Sequence, residues 1–144
     1  MKIMQNIDID KDMQKLANES LDYANGYFST FSKSLERENS RFNNDMLYQF
    51  AILSVEKYFI GLLACYDWIA THHMPIALYK EAKEFETELT ETMKNTTILV
   101  GKFEGICSIE DFGYRTPSSE DLLSMKVGIQ EIKELVEKRI AELN

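Results

Sequence analysis

One stretch constrains this chain more than any other. From Phe42 to Ala70 it reads FNNDMLYQFAILSVEKYFIGLLACYDWIA, the most apolar segment, carrying the only Trp and no proline. Met46, Phe50, Leu53, Phe59, Leu62 and Tyr66 recur at helical spacing, and Ile52, Val55, Leu63 and Ile69 widen the stripe. An apolar arc that broad has to be surrounded by other helices. The stretch therefore reads as the central helix of a bundle, a pattern that specifies an architecture and names no reaction.

The flanking sequence supplies the partners. With only 2 prolines and 6 glycines in 144 residues, punctuation is sparse and long helices are favoured over many short strands. A first helix is expected to start after Asp8 or Asp10, acidic residues suited to a helix N-terminus. Met13, Ala17, Leu21, Ala24, Phe28, Phe31 and Leu35 form its apolar face, and it should fade at Glu38-Asn39-Ser40. Gly26 inside it fits either the close approach of a neighbour or tolerance of a weak helix former. Asn43 or Asn44 can cap the central helix. Thr71-His72-His73-Met74-Pro75 is a turn, with Pro75 able to open the next helix.

A third helix is then expected to carry Leu78, Ala82, Phe85, Leu89, Met93, Thr96, Val100 and Phe103 on one face, beside an acidic stripe of Glu81, Glu84, Glu88 and Glu91. Periodicity lapses from Gly105 to Ser118. A fourth helix starts with Thr116 as cap and Pro117 in the first turn, and its seam is Leu122, Met125, Ile129, Ile132, Val136 and Leu143. Lys133, Lys138 and Arg139 lie late in it, where cations suit the negative end. The expectation is a single all-α domain over residues 1–144, an antiparallel up-and-down four-helix bundle, with room for a short extra helix or turn in the 105–118 loop.

Composition narrows the function. A formal charge of −8 argues against general DNA or RNA binding, because a phosphate backbone is held mainly by Lys and Arg. The uncharged runs in the central stretch, Met46 to Val55 and Tyr58 to Tyr66, are far short of the ~20 apolar residues that span a bilayer. The opening MKIMQNIDIDKDMQ has no apolar core of a secretory signal. Cys65 and Cys107 are too few for a disulfide framework and read as inert thiols. A soluble cytoplasmic protein that touches no membrane is expected.

Few residues carry candidate chemistry. His72 and His73 are the only histidines, and the positions three before them, Ile69 and Ala70, are not the glutamates that a di-iron bundle site needs. No metal and no cofactor is expected, and the two histidines remain weak candidates for binding or acid–base work beside a surface or capping role. The Glu81–Glu91 stripe reads as a solvated face balanced partly by Lys80 and Lys83. Glu56 and Lys57, in the middle of the most apolar helix, either face solvent or are paired if buried. Tyr114-Arg115-Thr116-Pro117 puts an arginine just before a helix's positive end, where it can recognise phosphate or carboxylate, or pin the loop by pairing with Glu56 or Asp67.

These two places resemble the HEPN domains of prokaryotes and eukaryotes. Small bacterial members have a helix of the form A-x-x-S-x-E-K-x-x-K-A-L-L, a short proline-containing turn, a third helix, and a loop with R-Y-P leading into an acidic-started fourth helix. Ala51, Ser54, Val55, Glu56, Lys57, Leu62 and Leu63 resemble the first part, and Pro75 falls in the turn. Arg115, Thr116 and Pro117, with Ser118 through Asp121, resemble the second, and order and spacing agree over roughly residues 45 to 140. Members that cut RNA carry an Arg followed closely by His, which is missing here: the nearest arginine upstream of His72 is Arg41, and Ile76-Ala77-Leu78-Tyr79 stands where the family's turn histidine would be. The resemblance thus implies a non-catalytic, often dimeric bundle that binds a nucleotide or RNA, or works beside a nucleotidyltransferase partner. Arg115, Lys57, Glu56 and Tyr114 are its expected polar site. The alternatives are a diverged ribonuclease or nucleotide-modifying enzyme using His72 or His73, and a purely structural dimeric interaction protein.

Overall fold

The computed structural model describes residues 10–37, 41–103 and 116–144. They form a helical bundle without strands: α1 (Lys11–Leu35), α2 (Asn44–Ala64), α3 (Pro75–Lys83), α4 (Glu91–Gly101) and α5 (Ser119–Leu143). The apolar α2 packs against each of the other four helices, most extensively α1. Ala51, Val55, Tyr58, Phe59, Leu62 and Leu63 are fully or almost fully buried there. By length and composition α2 is the one described helix apolar enough to cross a bilayer, and 56% of its most apolar window is covered inside the bundle.

Local signals set the boundaries. The Asp10 carboxylate accepts from the Met13 N–H and the Asn43 side chain from the Met46 N–H, so each satisfies a backbone donor that the first turn leaves open. Pro75 occupies the first turn of α3, where its missing N–H costs nothing. At α5 the expected cap is displaced: Ser118, not Thr116, accepts from the Asp121 N–H, and the Asp121 carboxylate returns a bond to the Ser118 N–H. A reciprocal pair outcompetes a lone threonine two residues earlier.

Two helices end sooner than periodicity predicts. The central helix stops at Ala64, short of the expected Ala70, and Asp67 takes a left-handed conformation at φ 62°. The expected third helix is two helices, α3 and α4, joined by residues 84–90. The apolar spacing survives this break, since Leu78, Ala82, Met93, Thr96, Val100 and Phe103 are all buried. What breaks the helix is a polar residue: Glu86 turns inward to a partner on α5, and Thr90 then caps α4 by accepting from the Met93 N–H. The expected turn at 105–118 falls mostly outside the described residues, as do Cys107, Tyr114 and Arg115.

Close helix approach occurs at glycines other than Gly26, which has open space around it. A Cβ on Gly128 would lie within bonding distance of the Thr96 side chain on α4, and one on Gly61 would lie 3.3 Å from the Ser20 Cβ on α1. Gly128→Ala is therefore expected to cost about 1–3 kcal/mol through overpacking. Gly26→Ala should gain up to about 1 kcal/mol from helix propensity. Urea melts of the two variants beside the parent check both signs.

Candidate functional site

Residues 84–90 are held by a buried ion pair. Arg139 of α5 donates from Nε to Glu86 Oε1 at 2.8 Å and from NH2 to Glu86 Oε2 at 2.7 Å, a two-pronged contact. The Glu86 side chain is wholly buried and that of Arg139 is 11% exposed. Tyr66 Oη–H donates to Glu86 Oε1 at 2.6 Å and the Glu88 N–H to Oε2 at 2.9 Å, so the carboxylate is saturated. Burial works against its charge, but the bonds from Arg139 and Tyr66 outweigh that and lower its pKa. Glu88 takes a second Arg139 bond and pairs with Lys138. Beside this cluster, burial above all and the charge of Glu86 next push the Cys65 thiol up to about 12, which keeps it unreactive.

A second carboxylate organises the connection from α2 to α3. Glu81 accepts from Trp68 Nε1 at 2.9 Å, from the Thr71 N–H and hydroxyl, from the His72 N–H, and from His72 Nδ1 at 2.9 Å. Burial opposes its charge, yet the bonds from Trp68, His72 and Thr71 together hold the carboxyl at about 2. His73 Nδ1 meets Glu56 Oε2 at 2.8 Å. A carboxylate can only accept, so both rings carry their proton on Nδ1 and leave Nε2 without a partner among the described residues.

Of the expected polar site, Glu56 and Lys57 lie among the described residues, whereas Tyr114 and Arg115 lie outside them. Glu56 is engaged by His73, and Lys57 lies over the Tyr23 ring, 5.8 Å from its centroid. Thr116, the first described residue after Arg115, lies 3.4 Å from Asp45 in the first turn of α2. The expected acidic stripe is no continuous solvated face either, since Glu81 and Glu88 are bonded within the protein. No group of three or more His, Cys, Asp or Glu side chains among the described residues is placed to hold a metal ion.

Pattern reading missed a groove of about 560 Å³ between α3 and α4. Ile76, Tyr79 and Leu89 form its apolar floor, Lys80, Lys83 and Lys94 stand around it, and Glu84, Thr90 and Glu91 complete its wall. Lys83 Nζ lies 6.0 Å from the Tyr79 ring centroid. None of these three lysines makes an ion pair with a described residue, whereas Lys126, Lys133 and Lys138 all do. The sequence signal was present in the spacing of Lys80, Lys83 and Lys94, but it reads as a groove only once α3 and α4 fold back on each other.

No protein-family model matches this chain, and no curated protein or solved structure matches it either.

Two consequences follow from the carboxylates. Removing either Arg139 or Glu86 alone leaves its partner charged and buried, at about 3–5 kcal/mol. For a chain of this size that lowers Tm by on the order of 10 °C. Glu86→Leu with Arg139→Met is expected to lose less than the sum of Glu86→Ala and Arg139→Ala, measured by thermal melts. Because the Glu81 carboxyl is held below its ordinary 4.5, its contribution is complete above about pH 4.5 and disappears as pH falls through 2. Urea midpoints of Glu81→Gln and the parent should accordingly differ at pH 7 and converge towards pH 2.

Proposed function

We propose that this protein is a non-catalytic, HEPN-like helical module that acts by binding, with the α3–α4 groove as its recognition surface. The observation that carries this reading is three lysines without carboxylate partners among the described residues, around an apolar floor, on a chain of net charge −8. Such a surface suits an anion that also carries an apolar body, since burial of that body supplies affinity and the lysines supply orientation. The volume lies within the ~300–1,000 Å³ usual for ligand sites. From the family resemblance, the classes to test are a nucleotide, a short RNA and a partner protein such as a nucleotidyltransferase; a homodimer is the assembly it implies. Lys80, Lys83 and Lys94 are the leading contacts in this reading, beside the expected Arg115, Lys57, Glu56 and Tyr114.

Anilinonaphthalene sulfonate, an aromatic anion, is a direct probe of such a groove. Its fluorescence is expected to saturate with the parent protein and to weaken at ~1 M salt, where charges are screened beyond about 3 Å. Lys83→Glu with Lys94→Glu should weaken it about tenfold, which is about 1.4 kcal/mol. Binding undiminished by the double charge reversal sinks the proposal.

One observation favours a second reading, a diverged ribonuclease or nucleotide-modifying enzyme. The carboxylates behind His72 and His73 fix their tautomers and leave each Nε2 lone pair available as a base. RNA cleavage by the parent, His72→Ala and His73→Ala proteins decides it. Absence of activity in the parent, or activity indifferent to both substitutions, ends that reading.

A further inference from the structure

We propose that the occupant of the α3–α4 groove is an acidic amphipathic helix of a partner protein, an inference that rests on the groove being the binding surface. The groove does not stop at its lysine-rich end. Beyond Ile76 it continues into a second hollow of about 270 Å³, lined by Met74, Pro75, Ile98 and Gly101, with Lys102 at its edge. An apolar floor therefore follows α3 along its nine residues, about 14 Å at 1.5 Å per residue. Met74 and Ile98, 44% and 45% exposed, stand on either side of it. That is the length and shape of two to three turns of a docked helix.

The charges select the same occupant. Lys80 and Lys83 come from α3 and Lys94 from α4, so the cations border the floor on both sides instead of converging on one point. A compact polyphosphate would seek a helix N-terminus with free N–H groups. At the start of α4 the Thr90 hydroxyl already accepts from the Met93 N–H and Glu91 puts a negative charge in the first turn, with Glu84 lining the same end. Carboxylates spaced along both edges of an apolar helix face meet the lysines while avoiding these two acids. The Glu81 knot ties the last turn of α3 to residues 68–72 and the Arg139–Glu86 pair fixes the segment that follows, so this end of the groove is set before any ligand arrives and binds without the ordering cost of a flexible site.

A fluorescent helical peptide of about 14 residues tests this, with leucines at i, i+3, i+4 and i+7 and glutamates on both flanks. Three comparisons by anisotropy suffice: this peptide, a scrambled peptide of identical composition, and a version with lysine for glutamate. The acidic amphipathic peptide is expected to bind the full chain at least about tenfold tighter than either control, a difference of about 1.4 kcal/mol. It should displace anilinonaphthalene sulfonate. Lys83→Glu with Lys94→Glu, folded by circular dichroism, should lose the acidic peptide and gain the lysine version. Equal binding of the scrambled peptide overturns the inference, because charge alone then suffices. Displacement of the probe by ATP but not by the peptide also overturns it and assigns the groove to a nucleotide, leaving the groove itself as the site. Failure of both the probe and the peptide removes the groove reading as well.

Discussion

The arrangement of the second half of this protein depends on one buried ion pair. Arg139 and Glu86 meet through two hydrogen bonds with the carboxylate wholly out of water. Taking both charges out of water is costly, and the contact persists because Tyr66 and the Glu88 N–H satisfy what Arg139 leaves open. Apolar side chains would hold the helices together as well or better. What the pair adds is position: Glu86 can reach Arg139 only if the chain leaves the helical path after Lys83. The helix therefore breaks, α4 starts afresh at Thr90, and a hairpin with an outer groove stands where a continuous helix would have shown a plain convex face.

Glu81, in the last turn of α3, does the corresponding work for the connection that leads in from α2. Five donors from Trp68, Thr71 and His72 converge on it and hold the strained connection around Asp67. The two pins are coupled through aromatic contacts, for Phe85 lies against both the Tyr66 and the Trp68 rings, with centroids 5.7 and 5.3 Å apart. Two of the four glutamates of the apparent surface stripe, Glu81 and Glu88, thus serve structure. That leaves Glu84, Glu91 and the neighbouring lysines to line the groove.

The parts of this architecture legible in the sequence are those decided within a few residues. Caps at Asp10 and Asn43, the opening of α3 at Pro75 and the burial of Val55, Phe59 and Leu62 each follow from a local pattern or a period. The break between α3 and α4 was illegible for a physical reason: the apolar spacing from Leu78 to Phe103 runs through it in phase. Only the distant Arg139 reveals that Glu86 is an interior residue, and no local rule pairs residues 53 positions apart. The candidate site shared that fate. Lys80 and Lys83 read as balance for neighbouring glutamates, whereas the folded chain gives two of these, Glu81 and Glu88, other partners and sets the lysines around the groove.

The same assignment of charges fits the proposed binding role of the groove. A catalytic residue there would need a pKa moved towards neutrality. Burial first, then the Glu91 charge, moves Tyr79 in the opposite direction, so its phenol stays protonated and contributes a neutral ring to the floor. The carboxyls driven down, Glu81, Glu86 and Glu88, are bound to internal partners, and the thiol driven up, Cys65, is buried away from solvent. The groove thus combines apolar area from Ile76, Tyr79 and Leu89 with positive charge from Lys80, Lys83 and Lys94, the features on which the proposed binding rests. The two outward imidazole nitrogens of His72 and His73 belong to the neighbouring turn, where Glu81 and Glu56 orient them without joining them to that floor.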